Sequence, residues 1–342
     1  MDYTRDQLAL WLEENGVRPF RAGQIFKWIY LRQAESFEEM TDLGKDLRQK
    51  LAARFHMNRL VLADRQVSWD TTEKYLFCLE DGEHIESVLI PEKDHFTLCV
   101  SSQVGCAMDC RFCLTAKGGF VRNLGVGEIT SQIRDARSFL IEGGVDPLKL
   151  SNIVFMGMGE PLANYGNLVR ALSIITDTDF GLKFSPRRVT VSTSGLVPRI
   201  MDLGNDTQVN LAVSLNGLDD ATRTRLMPIN KKYPLKELMD ACKKFKMKPR
   251  NKITFEYILI KGVNDSDQDA RNLVKLLTPV RAKVNLIPFN EHKGCDFKRP
   301  EKERVSAFLQ ILLDRGMTAI VRKSKGDDIS AACGQLKARM LE

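Results

Sequence analysis

The sequence predicts an α/β protein: a partial (β/α)6 barrel with a small helical N-terminal domain and a β-hairpin linker before it. Three observations lead there. Apolar runs of strand length recur at 96–101, 151–155, 188–192, 208–214, 253–260, 283–288 and 318–322. Amphipathic helical patterns fall between them, at 128–141, 168–175, 235–245, 267–277 and 301–313. Such alternation builds a mostly parallel sheet or barrel, and the roughly six units visible are short of the eight that close a TIM barrel. Finally, small polar residues stand at successive strand ends, where folds of this kind gather their chemistry.

The N-terminal 60 or so residues read as three short helices. Residues 4–15 carry Leu8, Leu10, Trp11 and Leu12 and close at Gly16. Pro19 opens a second helix with Ile25, Phe26, Trp28, Ile29 and Tyr30. Ser36 with Glu39 has the spacing of a capping box for a third segment through Phe55. Between 66 and 91 the pattern alternates through Tyr75, Phe77 and Leu79, then Ile85, Val88 and Ile90, around the turn Asp81–Gly82. This predicts a hairpin in which Glu86 faces solvent. The expected domains are 1–62, a linker at 63–94, and a core at 95–342.

At 342 residues, 43% apolar and 28% charged, the chain can bury a full core. The opening MDYTRDQLALWLEENG is acidic and interrupted, unlike a secretory signal, and runs such as 153–156 are far too short to cross a bilayer. Eight cysteines grouped around one motif, without an export signal, place the protein in a reducing cytoplasm with no membrane partner. A net charge of +7 permits a polyanionic partner without requiring one.

The stretch GCAMDCRFC sets Cys106, Cys110 and Cys113 in a C-x-x-x-C-x-x-C array, with Phe112 before the last thiol. A structural zinc site would want a fourth ligand from a second pair, yet the four histidines (His56, His84, His95 and His292) are scattered. Three thiolates suit a 4Fe–4S cluster with one iron open to a ligand that is not protein. The spacing resembles the radical S-adenosylmethionine (SAM) superfamily, where that iron chelates the amino and carboxylate groups of SAM. The strand ends agree with such a ligand: MGMGEPL with Gly157, Gly159 and Glu160, STSG from Ser192, SLNG from Ser214, and Asn290 after NLIPF.

Two further cysteines matter, Cys99 on the first barrel strand and Cys333 in GDDISAACGQL. Together with CVSSQVGCAMDCRFC, RRVTVSTSG, MPINKKYP and NLIPFN, that string resembles the RlmN/Cfr family of radical SAM RNA methyltransferases over essentially the whole chain. The resemblance implies methylation of adenosine C2 in 23S rRNA and in tRNA anticodon loops. Adenine C2 is electron-poor and cannot attack the methyl of SAM, so the family scheme uses two SAM molecules per turnover. One methylates Cys333. The other yields a radical that takes hydrogen from the S-methyl group, and the carbon radical then joins C2. Cys99 resolves the adduct, leaving a Cys99–Cys333 disulfide, and Glu86 matches the family's proton acceptor. By the same resemblance Gly159, Glu160, Ser192, Ser214, Leu215, Asn216 and Asn290 contact SAM. The turn SLNG departs here from the family's usual SLH, since asparagine neither titrates nor stacks like imidazole. A monomer is expected, with an external electron donor such as flavodoxin or ferredoxin.

Basic residues expected at the RNA are Lys117, Arg122, Lys231, Lys232, the run 243–252, Arg322, Lys323 and Lys325. Three other readings remain. A Cfr-like enzyme would methylate C8 of the same adenosine. A radical SAM enzyme on a small metabolite leaves the N-terminal helices unexplained, and a non-catalytic iron–sulfur or zinc RNA-binding protein leaves Cys99 and Cys333 without a role.

Overall fold

A computed structural model of the protein describes residues 2–57, 59–292 and 294–337. Its N-terminal helices are α1 (Arg5–Glu14), α2 (Arg21–Phe26), which runs on through a wider π turn at Lys27–Leu31, and α3 (Lys45–Arg54). Thr4 starts α1 by reciprocal bonds with Gln7, each side chain accepting from the other's backbone N–H. The third helix is shorter than expected. Glu39 does accept from the Ser36 hydroxyl and the Glu35 N–H, yet the segment before Gly44 stays in turns, because burying Phe37, Met40 and Leu43 there outweighs local propensity.

The strands are β1 (Val61–Val67), β2 (Glu73–Cys78), β3 (His84–Pro91), β4 (Phe96–Cys99), β5 (Gln103–Gly105), β6 (Phe120–Asn123), β7 (Leu150–Phe155), β8 (Val189–Thr193), β9 (Asn210–Ser214), β10 (Ile253–Leu259), β11 (Ala282–Pro288) and β12 (Ala319–Val321). Ten of them form one sheet in the order β1-β2-β3-β4-β7-β8-β9-β10-β11-β12, with β5 and β6 paired separately. From β4 to β12 every neighbour is parallel, whereas β1 to β4 are antiparallel. The sheet is open: β1 and β12 are its two edges among the described residues. The expected hairpin therefore gains a third strand, and β3 hydrogen-bonds directly to β4.

Helices α5 (Val126–Glu142), α6 (Tyr165–Thr176), α7 (Val197–Asp206), α8 (Asp220–Leu226), α9 (Leu235–Lys244), α10 (Asp267–Leu277) and α11 (Lys302–Asp314) make the crossovers between parallel strands; the short α4 (Leu114–Lys117) follows the cysteine loop. Alternation along β10 shows how a strand divides its faces. Phe255 and Tyr257 are fully buried, with Tyr257 stacked on Phe308 of α11 at 5.7 Å. Thr254, Glu256 and Ile258 consequently face the barrel interior. One apolar core runs from Leu8 in α1 through the barrel to Leu336, each fully buried large side chain contributing about 1.5–3 kcal/mol. A smaller cluster of Phe112, Leu226, Met227, Ile260 and Phe289 lies under the cysteine loop. No helix among the described residues is long and apolar enough to cross a membrane.

Candidate active site

The cysteine loop is held at its neck by the β5–β6 pair, where the Cys106 N–H donates to the Gly119 carbonyl at 2.7 Å. Gly105 has φ +71°, and a Cβ there would run into that same carbonyl, so only glycine closes the neck. Inside the loop the Cys113 N–H donates to the Cys110 carbonyl at 3.0 Å. Phe112 anchors the underside in its apolar cluster, and the Arg111 N–H donates to the Leu226 carbonyl. All three thiols line one cleft, enclosing about 840 Å³ of space continuous with solvent.

Burial pushes the Cys106 thiol up to about 12 and Cys110 well above its ordinary value, with neighbouring sulfurs adding to both. Buried thiols crowded in this way become thiolates only when a cation compensates them. Among the described residues no three thiol, imidazole or carboxylate groups converge on a point fit for one metal ion. Three cysteines of one loop lining a shared cleft suit an iron–sulfur cluster, and these are the residues that would hold it.

The opposite walls come from strand ends. Gly159 has φ +95°, and a Cβ there would lie 2.5 Å from Cβ of Gln103, so only glycine lets this cleft-lining backbone pack so close to β5. Glu160 is buried, with one oxygen accepting from the Leu162 N–H and the other from both the N–H and hydroxyl of Ser194 at 2.7 Å. Burial raises its pKa while these donors oppose the rise. Ser192, Ser214 and Asn216 also line the cleft. Asn216 adopts φ +55°; its Oδ1 accepts from the Ile258 N–H at 2.8 Å and its Nδ2 donates to the Met227 sulfur.

Two of the expected SAM contacts, Leu215 and Asn290, do not line this cleft. Leu215 is fully buried in the apolar core and lines neither principal cavity, so its side chain serves packing. It follows β9 directly, with its N–H donating to the Glu256 carbonyl at 3.0 Å. Asn290 lines a second cavity, on the far side of Cys333, where its Nδ2 donates to the Cys333 carbonyl at 3.3 Å and its Oδ1 accepts from Ser324 at 2.5 Å.

Cys333 lines both cavities, and its segment is stitched to the cysteine loop. Leu114 N–H donates to the Gly334 carbonyl at 2.8 Å and the Thr115 hydroxyl to the Leu336 carbonyl at 2.7 Å. Cys99 is buried at the end of β4 and lines neither cavity. Burial pushes its thiol up to about 12, with the Cys333 sulfur adding to the rise and Arg322 opposing it. All eight cysteines are unpaired.

Glu86 does not face solvent. It is 4% exposed, with one oxygen 3.2 Å from the Lys74 ammonium and the other accepting from the Lys337 N–H at 2.7 Å. A charge interrupting the strand by itself suggests an outward Glu86, but both faces of β3 are covered.

Several basic residues expected at RNA are already engaged. Arg122 holds Glu128 through two bonds of 2.8 Å and Asp81 at 2.5 Å; Lys117 donates to the Gly294 carbonyl, and Lys243 pairs with Asp240. Arg322 is half-buried in the wall between the cavities, within electrostatic reach of Cys333, Glu256 and Cys99.

Sequence reasoning missed Arg223 and Glu256. Arg223 is fully buried and ties two strand ends together, donating to the carbonyls of Ser194 at 2.6 Å and Leu215 at 3.2 Å. Glu256 was visible only as a charge inside the apolar run ITFEYILI.

Residues 1–57 match the family described as the ribosomal RNA large subunit methyltransferase N-terminal domain, and residues 100–274 match the radical SAM superfamily. The chain is 58% identical, over 98% of its length and 89% of the relative's, to the dual-specificity RNA methyltransferase RlmN of Desulfosudis oleivorans. It is 52% identical to the RlmN of Geotalea uraniireducens, covering 99% of this chain and 96% of that one. Its fold superposes on a crystal structure of a radical SAM methyltransferase from Sphaerobacter thermophilus with a TM-score of 0.91, at 45% identity, covering 99% and 98% of the two chains. A cleft walled by three loop cysteines, a bare glycine backbone and Cys333, in a chain this similar end to end, leaves one assignment: the protein belongs to the RlmN family of the radical SAM superfamily.

Proposed function

We propose that this protein methylates C2 of adenosine in 23S rRNA and in tRNA. The observation that supports this most is a single cleft lined by Cys106, Cys110 and Cys113 on one side and Cys333 on the other. Those three cysteines would hold the cluster, which when bound would supply the electron for reductive cleavage of SAM. The chain's own residues do the rest. Gly159 keeps the cleft wall free of a side chain, and Glu160, Ser192, Ser214 and Asn216 offer polar groups to SAM. Cys333 is placed to accept a methyl group and to become the covalent link to C2. One SAM molecule serves Cys333 and a second serves the cluster, giving two per turnover.

Cys99 acts last, attacking the Cys333 sulfur to release the RNA and form a disulfide. Its burial keeps it protonated and idle until Cys333 moves against it. Glu86 takes the C2 proton in this reading, which requires its bond to Lys337 to open. Residues 1–62 form an accessory RNA-binding domain, the 63–94 segment joins it to the core at 95–342, and Asn290 holds the Cys333 segment. The enzyme works as a cytoplasmic monomer reduced by a flavodoxin or ferredoxin.

The test is mass spectrometry of nucleosides from 23S rRNA fragments and tRNA after anaerobic reaction. 2-Methyladenosine is the expected product; 8-methyladenosine, or none from either RNA, would overturn the reading.

A further inference from the structure

Glu256 lies on the interior face of β10 and is the acidic side chain, among the described residues, that lines both cavities. It is 5% exposed. One oxygen accepts from Asn285 Nδ2 at 2.9 Å, while Oε2 is shut off from solvent with no hydrogen-bond partner. A carboxylate oxygen left so is costly, and in a ligand site it marks where a donor on the ligand belongs. Arg322 and Cys333 stand at the same waist between the cavities. An acceptor, a guanidinium donor and a sulfur thus share one wall.

We propose that the free oxygen of Glu256 accepts a hydrogen bond from the exocyclic amine of the target adenine in RNA, and so selects adenine over other bases. This rests on the reading that the protein methylates adenosine in RNA. On adenine the amine-bearing carbon and C2 flank the same ring nitrogen. A base brought with C2 against the Cys333 sulfur and its N1 edge along the wall that Cys333 shares with Glu256 presents its amine to that carboxylate. Guanine would put a carbonyl oxygen there, acceptor against acceptor. The second cavity supports RNA as the source of the base: Arg187, Arg188, Lys283 and Lys323 line it, and such cations suit a phosphate backbone. A flipped base read on its Watson–Crick edge is how enzymes of this kind choose a nucleotide.

The experiment uses reconstituted holoenzyme and an RNA hairpin carrying adenosine, purine riboside (no amine) or inosine (a carbonyl) at the target. With wild type, single-turnover methylation should fall about 10- to 100-fold on purine riboside, the worth of one hydrogen bond to a charged group. SAM affinity, from equilibrium dialysis, should not change among the RNAs. Glu256→Gln keeps an acceptor for Asn285 but turns an amide donor toward the base. It should lose a similar factor on adenosine, lose nothing further on purine riboside, and recover on inosine relative to adenosine. If the variant fails to fold, the wild-type series decides alone. Equal wild-type rates on adenosine and purine riboside would overturn the proposal. So would a Glu256→Gln variant that weakens SAM binding yet keeps the purine penalty, which would give the carboxylate to the SAM adenine instead. A wild-type protein that cleaves SAM but never methylates adenosine RNA would sink the RNA reading itself, and this inference with it.

Discussion

Lys74 and Glu86 pair diagonally at 3.2 Å across neighbouring antiparallel strands, with side chains only 10% and 5% exposed. The pair also reaches the segment that carries Cys333: the Lys74 ammonium donates to the Ile329 carbonyl at 2.7 Å and Glu86 accepts from the Lys337 N–H. The β1–β2 turn adds further ties, Ser68 to Asp328 at 2.5 Å and the Gly326 N–H to Asp70 at 3.3 Å. The antiparallel half of the sheet is thus a mount for the Cys333 segment, which has no strand or helix of its own between 322 and 337.

Breaking that pair should be expensive. Lys74→Met leaves the Glu86 carboxylate buried and unpaired, and should cost about 3–5 kcal/mol in denaturant unfolding. Combining it with Glu86→Leu should restore most of that loss, because a buried apolar pair replaces a buried ion pair at little net cost. Methylation should stay abolished in the double variant if Glu86 also takes the C2 proton. Full activity there would reduce Glu86 to a structural role.

Anaerobically reconstituted protein should bind about four irons and four sulfides per chain. Cys110→Ala should lose the cluster's visible absorbance and all reductive cleavage of SAM while its far-UV circular dichroism is unchanged. Stoichiometric zinc without iron uptake would contradict the cluster.

Alkaline stability offers a check on burial. Cys99 and Cys242 are both pushed up to about 12, chiefly by burial. The folded state therefore keeps protons that the unfolded chain releases above about 9, so stability falls as pH rises from 9 toward 12. Cys242→Ala should flatten the decline of melting temperature over that range. An unchanged slope would mean the thiol is less shielded than its packing indicates.

RNA affinity should depend on salt, log K falling against log salt by about 0.7–0.9 per neutralised phosphate. Lys323→Ala, at the rim of the second cavity, should reduce that slope by about one phosphate contact. No change in slope would move the RNA to another face.

The chemistry of the cysteine loop was readable from spacing alone, because ligand geometry over eight residues is local. The parallel strands were equally legible, from apolar runs that need burial on both faces. Strand ends were less so: the expected 208–214 begins at Asn210 and 96–101 stops at Cys99, since sequence does not say where a ladder loses its partner. The strands β5 and β6 went unseen, being too short to show a period. Glu86 was misplaced because its burial depends on Lys74 and on a chain segment some 250 residues away. Leu215 and Asn290 were assigned by position in a motif, which does not say that one side chain enters the core and the other a second cavity. Arg223 and Glu256 were missed because their use depends on strand ends and cavity walls that come together only in the folded sheet.

The central claim is that Cys333 carries carbon to the RNA and Cys99 frees it. It is tested most directly by a denaturing gel of Cys99→Ala reacted anaerobically with labelled RNA and SAM, followed by peptide mass spectrometry. RNA should accumulate on the protein, bonded through a methylene at Cys333, while Cys333→Ala forms no adduct and no methylated RNA. Turnover by Cys333→Ala, or a Cys99→Ala variant that releases free methylated RNA without an adduct, would contradict it.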